Sequence, residues 1–175
     1  PVLRGLRRSF GPDLHVAWLL GDAYRDLLAD DGDLSEIIPF ARRRLGRAWR
    51  SVCGARELAG LLSRLNAGKF DWVIDLQGLL RSGLLAAVSG AELRAGFADA
   101  REGGSLFYTH AVMPAQPHTI DRNIALARNI GIDARPEDLT LKVAPAAESF
   151  AQEFLAAHGL AGGNFLAVVP PTRWP

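Results

Sequence analysis

At 175 residues, 49% hydrophobic and 22% charged, the chain suits one ordinary α/β domain with length enough for a buried core. Its formal net charge of +1 argues against a dedicated nucleic-acid binder. Its single cysteine, Cys53, excludes an intrachain disulfide or a cysteine-built zinc site and leaves the cytosol as the default compartment. No apolar run approaches the ~20 residues that cross a bilayer.

Residues 1–10 (PVLRGLRRSF) put Val2, Leu3, Leu6 and Phe10 on one helical face and Arg4, Arg7 and Arg8 on the other, with Pro1 suited to a first turn. Residues 11–13 (GPD) break that pattern, and residues 14–20 (LHVAWLL) read as a strand. Asp22 can cap a short helix through Leu28, residues 30–33 make an acidic turn, and residues 37–40 (IIPF) read as a short strand. Five arginines then fall within the nine residues 42–50, beside Trp49. Forked guanidinium groups suit a carboxylate or phosphate; the plainer alternative is a solvated basic loop. Leu58, Leu61, Leu62 and Leu65 define an amphipathic helix over residues 55–66, with Gly68 as its C-cap.

Residues 70–85 are the most informative. Trp72, Val73 and Ile74 form a short apolar run without polar alternation, which predicts a parallel-sheet strand buried on both faces. Asp75, Gln77 and Gly78 interrupt it, after which Leu79, Leu80, Leu84 and Leu85 recur at helical spacing. A strand thus runs through a polar turn into a helix. Open α/β sheets bind ligands outside the carboxyl ends of their strands, so Asp75, Gln77 and Arg81 fall where chemistry is expected, unless Asp75 and Gln77 only cap the helix.

Residues 93–97 (LRAGF) read as a short strand and residues 101–105 (REGGS) as a flexible loop. His110 and His118 flank a proline-containing segment, and a helix starting at Thr119 or Asp121 runs to Ile130, where Gly131 ends it. His118 and Arg122 share a face if that helix begins early. Residues 138–143 (DLTLKV) alternate as a strand does, Pro145 opens a helix that stops at His158 and Gly159, and a glycine-rich stretch leads to a last buried strand at residues 165–169 (FLAVV). The sequence holds no Walker loop, metal-ligand cluster, nucleophile elbow or dinucleotide fingerprint. Beginning at Pro1 and stopping at Trp174 and Pro175, just past that strand, it reads as a fragment of a longer protein.

Several of these stretches, in this order, resemble the heptosyltransferases of lipopolysaccharide assembly, glycosyltransferase family 9. They are the arginine cluster before Trp49, residues 70–79 (FDWVIDLQGL), residues 100–102 (ARE) followed by residues 105–108 (SLFY), the helix start at residues 118–122 (HTIDR), and the closing strand with residues 172–175 (TRWP). The resemblance implies the N-terminal half of a GT-B glycosyltransferase, a Rossmann-like parallel sheet with helices on both faces. Residues 1–158 would be the acceptor-binding domain with its first strand missing, and residues 159–175 a linker and the first strand of the nucleotide-sugar domain.

The resemblance also implies an inverting transfer of heptose from ADP-L-glycero-β-D-manno-heptose to the Kdo-lipid A inner core. It would take place at the cytoplasmic face of the inner membrane, with only peripheral membrane contact and no metal or other cofactor. The family's base, an aspartate in a Gly-Asp loop after the first strand, would lie upstream of Pro1. Arg43, Arg44, Arg101, His118 and Arg122 match family positions that contact the anionic acceptor, with Arg47 a weaker candidate. Asp75 and Gln77 either shape the cleft or touch sugar hydroxyls, and Thr172 matches a threonine near the donor phosphates. The alternatives are a family 9 transferase for another sugar or acceptor, and a non-enzymatic anion-binding module.

Overall fold

A computed structural model describes residues 1–41, 51–163 and 165–168. Arg43, Arg44, Arg47 and Thr172 lie outside the described residues. The chain divides into two compact units, Pro1–Thr140 and Leu141–Pro175.

In the first unit, α1 (Val2–Phe10) is the amphipathic helix that the sequence predicts, with Val2 and Leu3 buried and Arg7 and Arg8 in its last turn. β1 (Ala17–Gly21) leads into a 3-10 turn (Asp22–Tyr24) and a single helical turn, α2 (Arg25–Leu28). The chain then returns in β2 (Glu36–Phe40), which pairs in parallel with β1, Ala17 opposite Glu36 and Gly21 opposite Phe40. α3 (Val52–Ala67) begins earlier than its leucines suggest because the Ser51 hydroxyl accepts the Gly54 N–H at 3.0 Å, an N-cap. Leu61 and Leu65 of α3 pack on Ile38 of β2, with Ala17 and Leu19 of β1 alongside.

A second parallel sheet has the order β3 (Trp72–Ile74), β4 (Leu93–Phe97), β5 (His110–Val112). β3 feeds α4 (Leu80–Val88), and β5 is followed by α5 (Thr119–Asn129). Val2 of α1 and Ile124 and Ala127 of α5 form a buried cluster with Ile132 and Ala134, against which Ile74 packs. A second cluster joins Ala95 and Phe97 of β4 to Val112 and Leu126. Fold class is therefore as expected, α/β with parallel pairing throughout the described strands.

Four local expectations fail. β3 forms where predicted, but it is the edge of its sheet and Trp72 is 41% exposed, with Phe10 meeting it edge-on at 5.2 Å between ring centres. Trp72 and Ile74 share one face of the strand, Ile74 meeting the core and Trp72 the Phe10 ring. Residues 138–143 form no strand: a 3-10 turn (Pro136–Asp138) ends in a tight Thr140 N–H to Asp138 C=O bond of 2.8 Å, and Leu139, Leu141 and Val143 are exposed. Alternation makes a strand only where another strand supplies backbone partners. The same reason applies to residues 165–168, which carry no strand and leave Phe165, Leu166 and Val168 exposed.

Finally, residues 101–105 are not a loose loop. They belong to a 3-10 segment (Arg101–Phe107) in which Gly104 is buried. A Cβ on Gly83 of α4 would lie 2.7 Å from the Gly104 carbonyl oxygen, and one on Gly104 would lie 2.8 Å from the Leu79 carbonyl. The two glycines let helix and segment touch backbone to backbone. The second unit contains α6 (Pro145–Ala157), started by Pro145 as predicted, where Phe154 stacks on His158 at 4.2 Å.

Candidate functional site

The carboxyl ends of β3, β4 and β5 carry most of the described candidate residues. Asp75 follows β3, Arg101 follows β4, and His118 precedes the first turn of α5 beyond β5. A backbone hydrogen bond ties the end of β4 to the turn after β3, Arg101 N–H donating to Gly78 C=O at 2.9 Å, while Arg122 N–H to His118 C=O at 3.0 Å closes the first turn of α5 itself. Parallel strands put their carboxyl ends together, which is why residues far apart in sequence meet here.

Gln77, Arg101 and His118 are exposed. Among the described residues the Arg101 guanidinium has no hydrogen-bond or ionic partner, so it faces solvent as a free forked cation. Arg122 is different. Its Nη2 donates to Asp99 Oδ1 at 2.6 Å, and its guanidinium lies 4.8 Å from the centre of the Phe97 ring. The Arg122 hydrogen bond holds the Asp99 carboxyl below the usual carboxylate range.

Asp75 turns inward and is 6% exposed. One carboxylate oxygen accepts the N–H groups of Gln77 at 2.8 Å and Gly78 at 3.2 Å, and the other accepts the Tyr108 hydroxyl at 2.6 Å. Gly78 sits in the left-handed region at φ 66°, which closes this turn. Burial first, and then the adjacent Asp75 carboxylate, push the Tyr108 hydroxyl well above its usual range, so it remains a protonated donor. Arg81, in the first turn of α4, lies over the Phe40 ring at 5.9 Å, and its buried Nε has no hydrogen-bond partner among the described residues.

A cavity of about 230 Å³ opens between the two sheets, lined by Trp18 of β1, Leu76 beyond β3, Val2, Ile120 and Asn123. The Asn123 Oδ1 is buried without a partner among the described residues. Those residues include no group of three or more His, Cys, Asp or Glu that could hold a metal ion. Sequence reasoning missed Asp99, Phe97 and Tyr108. Tyr108 closes the 105–108 stretch of the resemblance without a role of its own there, and only the parallel crossovers bring the three to the rim.

A family model for glycosyltransferase family 9 (heptosyltransferase) matches residues 59–175. The chain is 24% identical over 151 residues to lipopolysaccharide core heptosyltransferase OpsX of Haemophilus influenzae, covering 85% of this chain and 41% of that protein. It is 30% identical over 136 residues to lipopolysaccharide heptosyltransferase 1 of Escherichia coli K12, covering 75% and 42%. Among solved structures, E. coli heptosyltransferase WaaC with ADP-2-deoxy-2-fluoro heptose superposes with a TM-score of 0.66 at 26% identity, over 78% of this chain and 44% of that one. A family 9 glycosyl transferase from Veillonella parvula shares the fold, with a TM-score of 0.71 at 23% identity over 99% and 50%. The chain spans half or less of the length of each of these proteins.

Proposed function

The chain belongs to glycosyltransferase family 9, and on that footing we propose that it is the acceptor-binding half of an inverting heptosyltransferase of lipopolysaccharide core assembly. The donor is ADP-heptose and the acceptor the Kdo-lipid A inner core. The observation that carries this reading is the rim itself: Arg101, His118 and Arg122 lie along the carboxyl ends of adjacent parallel strands, where α/β folds bind ligands. The likeness to WaaC, solved with an ADP-heptose analogue, supports the choice of donor.

On this reading Arg43, Arg44, Arg101, His118 and Arg122 grip the carboxylates and phosphates of the acceptor, Gln77 meets its hydroxyls, and Thr172 meets the donor phosphates. Guanidinium groups suit that task because they fork onto paired oxygens and never lose their charge. Transfer with inversion requires a base on the acceptor hydroxyl and stabilisation of the departing diphosphate. The base belongs to a loop upstream of Pro1.

The sheet order supports the domain reading. Doubly wound sheets follow the series 3-2-1-4-5-6. The order β2-β1 with β3-β4-β5 matches 3-2 and 4-5-6, and the cavity between Trp18 and Leu76 lies at position 1. A first strand preceding Pro1 fits there; the bounds of residues 1–158 for the N-terminal domain and 159–175 for the approach to the nucleotide-sugar domain rest on the family reading, and the compact units part earlier, between Thr140 and Leu141. The enzyme works in the cytoplasm at the inner-membrane surface; among the described residues no helix is long and apolar enough to cross a membrane.

The test is ADP release by the full-length enzyme supplied with ADP-heptose and Kdo-lipid A. Acceptor-dependent release is expected, and Arg43→Ala with Arg44→Ala should raise the acceptor KM far more than the donor KM. An unchanged acceptor KM would sink the assignment of the arginines, and no release from folded enzyme would sink the choice of substrates.

A further inference from the structure

The segment Arg101–Phe107 is held at both ends by the turn that follows β3. At its start, Arg101 N–H donates to Gly78 C=O at 2.9 Å. Just past its end, the Tyr108 hydroxyl donates to Asp75 at 2.6 Å, and the same carboxylate fixes the Gln77 and Gly78 amides. We propose that Asp75 and Tyr108 are a positioning pair, which sets the place of Arg101 and Gln77 on the rim without touching the acceptor. The proposal rests on the reading of the rim as the acceptor site.

Three observations carry it. The Asp75 carboxylate is buried, and its two oxygens together accept three hydrogen bonds from within the protein, so it is satisfied without a ligand. That satisfaction is what makes a buried carboxylate tolerable. Next, the segment departs from helical geometry just after Arg101: Glu102 has φ 59° and Gly103 φ 81°. A non-glycine residue in the left-handed region is disfavoured and persists only where its surroundings over-determine it. Here the two end bonds and the Gly83–Gly104 contact do so. Last, Arg101 itself has no side-chain partner among the described residues, so its position is fixed by its backbone alone.

The experiment uses the full-length enzyme and the variant Tyr108→Phe, which removes one hydroxyl and little else. The acceptor KM should rise about five- to tenfold, the scale of one ordinary net hydrogen bond, with kcat within twofold and the donor KM unchanged. In an Arg101→Ala background the same substitution should add almost nothing, because the Gln77 and Gly78 amides keep their own bonds to Asp75 and the loss passes through Arg101. Amide hydrogen exchange of Arg101 and Gly78 should quicken in Tyr108→Phe while the amides of β1 and β2 hold their rates.

If Arg101→Ala raises the acceptor KM and Tyr108→Phe does not, the positioning pair is overturned and the acceptor rim survives. Equal losses in kcat and both KM values, additive with Arg101→Ala, would reduce Tyr108 to general stability and also overturn it. An Arg101→Ala enzyme with an unchanged acceptor KM overturns the rim reading, and the proposal with it. Unchanged exchange at Arg101 in Tyr108→Phe overturns the pin whatever the acceptor is.

Discussion

Arg4 and Asp31 meet fork to fork: the two terminal nitrogens of the guanidinium donate to the two carboxylate oxygens at 2.8 and 2.9 Å. Arg4 also reaches Asp33, so one side chain of α1 ties down the turn between α2 and β2. The Asp31 side chain is almost fully buried, and removing Arg4 takes from it a two-pronged, charge-assisted hydrogen bond. Arg4→Ala should therefore cost about 2–3 kcal/mol in urea unfolding of the full-length enzyme. Arg4→Lys should recover only part of that, because an ammonium cannot bridge both oxygens.

Gly83 lies inside α4, where alanine ordinarily favours the helix by about 1 kcal/mol. At this position the sign should reverse. The added Cβ would stand 2.7 Å from the Gly104 carbonyl oxygen, a backbone atom that cannot swing aside. We expect Gly83→Ala to destabilise by about 1–3 kcal/mol, the usual range for overpacking, read from its thermal midpoint. A more stable variant would mean that helix and segment separate easily.

The Ser51 hydroxyl caps α3 by accepting the Gly54 N–H. Ser51→Ala should cost about 1 kcal/mol, and Ser51→Asp should restore stability by offering both an acceptor and a charge suited to the helix N-terminus. Denaturation midpoints of the three proteins check this.

Asp99 supplies a pH dependence. Its carboxyl is held below the usual range by Arg122, so the unfolded chain takes up a proton at higher pH than the folded one. The pair thus contributes fully above the unfolded pKa, about 3.9. That contribution disappears as pH falls through the folded value. Both side chains are partly exposed, so the contribution is about 0.5 kcal/mol after screening. Stability measured between pH 6 and pH 2.5 should fall by that much more in the parent than in Asp99→Asn.

Elements with a full period and clear end signals were readable from the sequence. α1, α3 and α6 each combine an apolar stripe with a start or stop residue, and β4 emerged with its observed bounds. β5 escaped because three residues give no period to read. Residues 138–143 misled for the opposite reason, since they alternate well but meet no neighbouring strand among the described residues. The glycines at 103 and 104 look like a hinge in sequence, yet Gly104 marks close packing; both uses require the absence of a Cβ.

At the candidate site, His118 and Arg122 stood out by residue type and spacing, and Arg101 through the family resemblance alone. Asp75 stood out too, either as a capping residue or as one facing a ligand, and the structure shows it accepting the Gln77 and Gly78 amides and the hydroxyl of a distant partner. That partner, Tyr108, lies beyond a whole strand and a 3-10 segment, a separation no local pattern bridges. Asp99 likewise matters only through the strand crossover that brings Arg122 over Phe97.

The contact of Gly83 with Gly104 bears on the thermodynamics of recognition. Ligand-binding loops are usually drawn from the least ordered parts of a protein, and freezing them opposes association. The segment that carries Arg101 is instead seated on a helix backbone before any ligand arrives. Its conformational entropy is lost once, when the chain folds, and not again at each encounter, so the arginine is preorganised. Calorimetry of acceptor binding should accordingly show a smaller entropic penalty than a mobile loop would impose, and substitutions that loosen the glycine contact should bring that penalty back.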